Sequence, residues 1–157
     1  MGKYLIHIPK THGRTIVRQF RSVKSTLSEH RLHLRASDLK GLEPNTDWFA
    51  VIREPTERIL SLYTSHYRNS FDSFLDALET PTVTIRDPFI FSRPEVIHAP
   101  GTILANQWDY IKDSPLPITL FRFGDWNSIS KFIGEEPMED LTQHKTRQKD
   151  LSLLTPE

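Results

Sequence analysis

The stretch Tyr4-Leu5-Ile6-His7-Ile8-Pro9-Lys10-Thr11-His12-Gly13-Arg14-Thr15 decides the fold. Residues 4–8 are a short, almost wholly apolar run of the kind a strand buried in a parallel sheet requires, and Pro9, with no backbone N–H to give a neighbouring strand, is expected to end it. From Thr15 onward Ile16, Val17, Phe20 and Val23 mark one face of a helix, with Arg18, Arg21 and Lys24 on the other. A strand, a tight loop and a helix follow in that order.

The same order returns at Trp48-Phe49-Ala50-Val51-Ile52, an apolar strand followed by Arg53, Glu54 and Pro55, the last favoured in a helix's first turn. Ile59, Leu60, Tyr63 and Tyr67 give that helix its buried stripe. Between the two units, His33 to Leu39 reads as a strand end or turn entering a helical turn, with Ser37 as its cap. Ser70 to Leu78 reads as a helix with Phe74, Leu75 and Leu78 inward, and residues 80–100, with four prolines, as an irregular excursion. Thr102 to Ile111 is helical in pattern and Ile118 to Phe121 is a further strand. Asp125 caps a last helix, in which Ile129, Phe132 and Ile133 pack before Gly134 ends it. Residues 135–157 are polar, a tail or a flap over a bound cofactor. Strands alternating with helices predict an α/β fold, a small central parallel sheet flanked by helices, with its binding crevice at the carboxyl ends of the strands.

At 157 residues the chain is expected to be a single domain, 1–157. Its 20 Lys and Arg balance 20 Asp and Glu, which gives no reason to expect a protein that coats nucleic acid or membrane. The balance conceals a split: residues 1–40 hold nine Lys and Arg and two acids, Glu29 and Asp38, leaving 11 basic against 18 acidic residues beyond. The cationic third is expected to meet an anion. With no cysteine there is no disulfide, thiolate metal site or sulfur nucleophile, and a reducing, cytoplasmic compartment is expected. No run approaches the roughly 20 apolar residues needed to span a bilayer, and a soluble protein without a signal peptide is the expectation. Thr155-Pro156-Glu157 has the cap, proline and acid of a helix start, which suggests truncation.

Residues 9–15 lie where a strand turns into a helix, so free backbone N–H groups and the helix dipole create an anion site, to which Lys10, Arg14 and Thr15 add charge and a hydroxyl. It is not a nucleoside-triphosphate loop of the Gly-Lys-Ser/Thr type, because Arg14 follows Gly13. A P-loop kinase is thereby disfavoured. The second junction repeats the arrangement, with Arg53 at the strand end, Arg58 one turn into the helix and Ser61 eight residues after Arg53. Two anion cradles on adjacent strands suit a ligand with two phosphate groups. The plainer alternative is that Arg53 pairs with Glu54 or Glu57 and that Ser61 faces a neighbouring helix.

Residues 6–15 resemble the 5′-phosphosulfate loop of sulfotransferases that use 3′-phosphoadenosine-5′-phosphosulfate (PAPS), usually Pro-Lys-Thr-Gly-Gly-Thr-Ser, and Val51 to Tyr63 resembles the 3′-phosphate motif of the same family. The likeness is closest to the carbohydrate, Golgi-type branch. It extends to Asn106-Gln107-Trp108-Asp109-Tyr110-Ile111, Leu120-Phe121-Arg122-Phe123-Gly124-Asp125-Trp126 and His144-Lys145-Thr146. The chain departs from the pattern at His12, where Gly or Ala is usual, and at Arg14, where Thr is usual. The resemblance implies a P-loop-like fold and metal-free transfer of a sulfuryl group to a hydroxyl or amine, the likeliest acceptor being a saccharide hydroxyl. By the same resemblance Lys10 binds the 5′ side and the bridging oxygen, with Thr11, His12, Gly13, Arg14 and Thr15 completing the loop. The resemblance likewise implies that Arg53 and Ser61 hold the 3′-phosphate, and Lys145 lies in a basic stretch that is either a flap over the cofactor or a solvated tail.

Such a transfer needs in-line positioning, stabilisation of charge on the leaving oxygen and a base for the acceptor proton. By the resemblance Lys10 is expected to supply that stabilising charge. His33 is the first candidate base, because His33-Leu34-Arg35-Ala36-Ser37-Asp38-Leu39 resembles the histidine segment of heparan sulfate 6-O-sulfotransferases, and His66 is the second. His7, in an apolar strand, reads as a core residue, and so does Trp48. The expected reading is thus a PAPS-dependent sulfotransferase acting on a small-molecule or glycan acceptor and releasing the 3′,5′-bisphosphate. Its rival is a noncatalytic nucleotide- or sulfated-glycan-binding relic of that fold.

Overall fold

The structure is a computed structural model and describes residues 2–26, 35–38, 45–66, 70–79 and 106–138. Four strands, β1 (Gly2–Ile6), β2 (Val23–Ser25), β3 (Thr46–Ile52) and β4 (Ile118–Arg122), form one sheet in the order β2-β1-β3-β4. Every pairing is parallel, with Tyr4 opposite Lys24 and Trp48, and Trp48 opposite Ile118. The helices are α1 (Gly13–Gln19), α2 (Pro55–His66), α3 (Phe71–Glu79), α4 (Gln107–Ile111) and α5 (Trp126–Ile133), with a 3-10 turn at Ala36–Asp38. The expected α/β class with a parallel sheet is present.

Side chains alternate across the sheet, and each face has its own core. Leu5, Phe49 and Val51 pack with Ile16 and Phe20 of the α1 region, Val23 of β2 and Ile129 and Ile133 of α5. Ile6, Trp48 and Ala50 pack on the opposite side with Ala36, Tyr110 and Ile111 of α4. Each of the larger side chains buried this way contributes about 1.5–3 kcal/mol relative to exposure. A smaller cluster joins α2 to α3 through Leu62 and Phe74.

Several boundaries differ from the sequence reading. The first strand covers Gly2–Ile6 rather than residues 4–8, because the His7 N–H donates to Thr26 Oγ1 and the Ile8 N–H folds back onto the Ile6 carbonyl. The helix after it ends at Gln19, with Phe20 extended. Val23 therefore belongs to β2, paired with Lys3, and not to the helix. A helix of seven residues turns only Gly13, Ile16 and Gln19 fully inward, which leaves Val17 38% exposed. Leu75, expected inside, is 37% exposed because Phe74 takes the inward position of α3. Ser37 is the middle residue of its turn rather than a cap in front of it. The helix expected from Thr102 begins at Gln107: Asn106 is extended and its side chain accepts the Asp109 N–H, capping the start. Pro55, the Asp125 cap and the left-handed Gly134 that ends α5 stand where the sequence placed them. Tyr67, residues 80–105 and the tail from 139 onward lie outside the described residues. Among the described residues no helix is long and apolar enough to cross a membrane.

Strand order singles out one place along this sheet. From β1 the chain runs through α1 to β2 on one side, then returns to β3 on the other side of β1. The boundary between β1 and β3 is thus the topological switch point, the place at which open parallel sheets generally take their ligands. Residues 7–12 and 53–54 are those two loops.

Candidate functional site

The first loop closes on itself before it reaches a partner. Thr11, fully buried, donates its hydroxyl to the Ile8 carbonyl, which fixes the turn that Pro9 begins. Lys10 and His12 both have a φ of 66°, a left-handed conformation uncommon for residues with a Cβ. His12 is the N-cap of α1 and its carbonyl accepts the Ile16 N–H. Its ring packs edge-on to Phe123, 4.3 Å between centroids, and stacks 5.7 Å from Trp126. Gly13 enters α1 directly over His7: a Cβ there would lie 2.1 Å from the imidazole Cδ2. Arg14 is exposed and Thr15 half-buried in the first turn of α1.

The second loop presses against the first. The Arg53 guanidinium, on a residue only 5% exposed, donates through Nε to Glu57 at 3.1 Å and through Nη1 to the Lys10 carbonyl at 3.4 Å, and lies 4.1 Å over the Phe123 ring. The ion pair weighed as the plainer alternative for Arg53 is therefore formed with Glu57. It uses one of five N–H groups, and the Arg53 side chain also reaches the first loop. Arg58, equally buried, donates Nε to the Pro9 carbonyl at 3.0 Å. Lys10 Nζ reaches across to Ser65 Oγ at 2.7 Å. Arg58, Ser61 and Ser65 stand at i, i+3 and i+7, one stripe of α2, so the buried Ser61 lies between the two positions that touch the first loop. The contacts to Pro9, Lys10 and Ser65 were not read from the sequence, although that helical spacing was visible in it.

The electrostatics are one-sided at Lys10. Burial lowers its pKa first, and the neighbouring cations Arg14 and Arg53 lower it further. Arg58 is likewise shifted down, by burial. Crowded cations in a partly dehydrated crevice attract a ligand of opposite sign. The Tyr110 hydroxyl, deep in α4, has its pKa raised by burial and has no hydrogen-bond partner among the described residues. Among those residues no group of His, Asp and Glu side chains is placed to hold a metal ion.

Of the residues singled out from sequence, Lys10, Thr11, His12, Gly13, Arg14, Thr15, Arg53 and Ser61 all fall on the two loops or the helix turns that follow them. His33 and Lys145 lie outside the described residues. His66 ends α2, and only its backbone is described. His7 and Trp48 are core residues, as expected. Trp108 is 64% exposed and forms, with Ile111, Lys112, Leu116, Ile118 and Leu120, the wall of a cavity of about 400 Å³. None of these residues belongs to the two loops. No family model, curated protein or solved structure matches this chain.

Proposed function

We propose that the chain is a PAPS-dependent sulfotransferase with a P-loop-like α/β fold, transferring a sulfuryl group to an acceptor hydroxyl on a saccharide. The observation that carries this reading is the joining of two strand-to-helix corners at the switch point: Arg53 and Arg58 donate to the carbonyls of Lys10 and Pro9, and Lys10 reaches Ser65. A nucleotide with phosphate groups at both its 3′ and 5′ ends is a ligand that would engage both corners at once. The motif resemblance at residues 6–15 and 51–63 supports the identity of that nucleotide, and the cysteine-free composition supports a cytoplasmic setting.

In this reading the Lys10 ammonium faces the bridging oxygen of the phosphosulfate, while Arg53 and Ser61 hold the 3′-phosphate. The acceptor oxygen gives its proton to a base as its bond to sulfur forms. The bond from sulfur to the bridging oxygen breaks, and adenosine 3′,5′-bisphosphate leaves with the electron pair. Lys10 neutralises the charge on that oxygen, a form of stabilisation worth roughly 3–4 kcal/mol where single donors have been removed from other enzymes. His33 is the proposed base and His66 the second candidate.

Calorimetric titration with adenosine 3′,5′-bisphosphate tests the assignment. The unmodified protein is expected to bind it, Lys10→Ala and Arg53→Ala to bind it far more weakly, and His33→Ala to bind normally without turnover. Absence of binding by the unmodified protein would refute the reading. Binding without transfer to any glycan or small alcohol would favour a noncatalytic relic, a reading supported by the aromatic packing of His12 in the loop.

A further inference from the structure

Parallel pairing between β3 and β4 stops at Ile52 opposite Arg122, with one more bond from the Phe123 N–H to the Ile52 carbonyl at 2.7 Å. The chain then turns away at Gly124, where φ is positive, and Arg53 has no strand beside it to take its own N–H and carbonyl. Gln107, the first residue of α4, takes both. Its amide oxygen accepts the Arg53 N–H at 2.7 Å and its amide nitrogen donates to the Arg53 carbonyl at 2.7 Å, across 54 residues of sequence. The amide side chain carries its donor and its acceptor on one planar group, so the pair of bonds fixes the peptide orientation as well as its position.

That peptide carries the guanidinium stacked on Phe123 and bonded to Glu57 and to the first loop. The two observed bonds occupy the Nε–H and one Nη1–H of its five N–H groups. No acceptor among the described residues takes the others. We propose that Gln107 is a positioning residue: it holds the Arg53 backbone so that those remaining donors are fixed toward the crevice and select a ligand bearing a second phosphate. The ligand half of this inference rests on the proposed cofactor; the positioning half does not.

The test uses Gln107→Met, which keeps the length of the side chain without charge or hydrogen bonds, alone and combined with Arg53→Ala, each confirmed folded by circular dichroism. Two readouts are independent. In the first, nitrogen-15 spectra of arginine side chains without ligand are expected to show a protected Arg53 Nε–H signal in the unmodified protein that broadens and exchanges rapidly in Gln107→Met. An unchanged signal would overturn the proposal. In the second, affinities for adenosine 3′,5′-bisphosphate and adenosine 5′-phosphate are compared. Gln107→Met is expected to weaken the bisphosphate about tenfold or more and to leave the monophosphate within about twofold, as loss of a charge-assisted contact predicts. Adding it to Arg53→Ala should have no further effect. Equal weakening of both nucleotides, or full additivity with Arg53→Ala, would reduce Gln107 to a structural support and overturn the proposal. If the spectrum changes but the unmodified protein does not favour the bisphosphate, positioning is upheld and the cofactor assignment fails.

Discussion

Lys10 combines three constraints in one residue: a left-handed backbone, partial burial and two cationic neighbours. Its pKa is held below the ordinary 10.5, by burial first and by Arg14 and Arg53 next. Between the lowered folded value and the unfolded one, the unfolded chain holds more protons, so the contribution of Lys10 to stability improves as pH rises through that alkaline window. Below the window the cost of the buried charge is fully present. A bound anion favours the protonated amine and opposes this trend. Affinity for adenosine 3′,5′-bisphosphate is therefore expected to fall as pH is raised toward the ordinary lysine value of 10.5, and a Lys10→Arg variant that still binds should lack the decline. A flat profile in the unmodified protein would remove Lys10 from the anion contact. At this scale the sequence disclosed the cationic residues of both loops, because their types and their places after apolar strands are local facts. Gln107 was quoted only as part of a motif. Its partner is 54 residues away, and no local pattern announces such a bond.

The strand-to-helix corner depends on one close approach. Gly13 has no unusual φ to explain it; what it supplies is room for the His7 ring. Alanine is the better helix former by about 1 kcal/mol, yet its methyl group would overlap the imidazole at 2.1 Å. Overpacking costs typically about 1–3 kcal/mol, so Gly13→Ala is expected to lower the denaturant midpoint at unchanged slope despite that propensity. Combining it with His7→Ala should recover part of the loss, and additive effects of the two substitutions would argue against the contact. Elements carrying their own punctuation were legible, as α2 with Pro55 and α5 between Asp125 and Gly134 show. The strand β2 was not. It has only three residues, and Val23 continues the apolar spacing of α1 closely enough to read as one more helical turn.

Across the whole molecule, the uneven charge of the sequence and the strand order converge. The cationic first third supplies β1, β2 and the first loop, and the switch point places that loop against the Arg53 corner. A nucleotide with two phosphate groups bound there should stabilise the entire fold, by about 2.7 kcal/mol at a hundred times its dissociation constant. That corresponds to a melting temperature roughly 5–11 °C higher for a chain of this size. Differential scanning calorimetry at low and high sodium chloride should show the rise shrinking with salt, since part of the attraction is screened. No shift at saturating nucleotide would contradict the proposed site. Alternation of strands with helices made the α/β class readable in advance. The order β2-β1-β3-β4 depends on how the layers close on one another, which periodicity does not encode.

The position of β1 inside an all-parallel sheet also bears on how the chain acquires its shape. During synthesis β1 leaves the ribosome first, but its long neighbour β3 begins at Thr46, and no hairpin can satisfy β1 in the meantime. Closing such distant pairings is slow, and an apolar strand left waiting is open to aggregation. The nascent chain is thus exposed until β3 and then β4 have emerged, and chaperone dependence should extend over that interval.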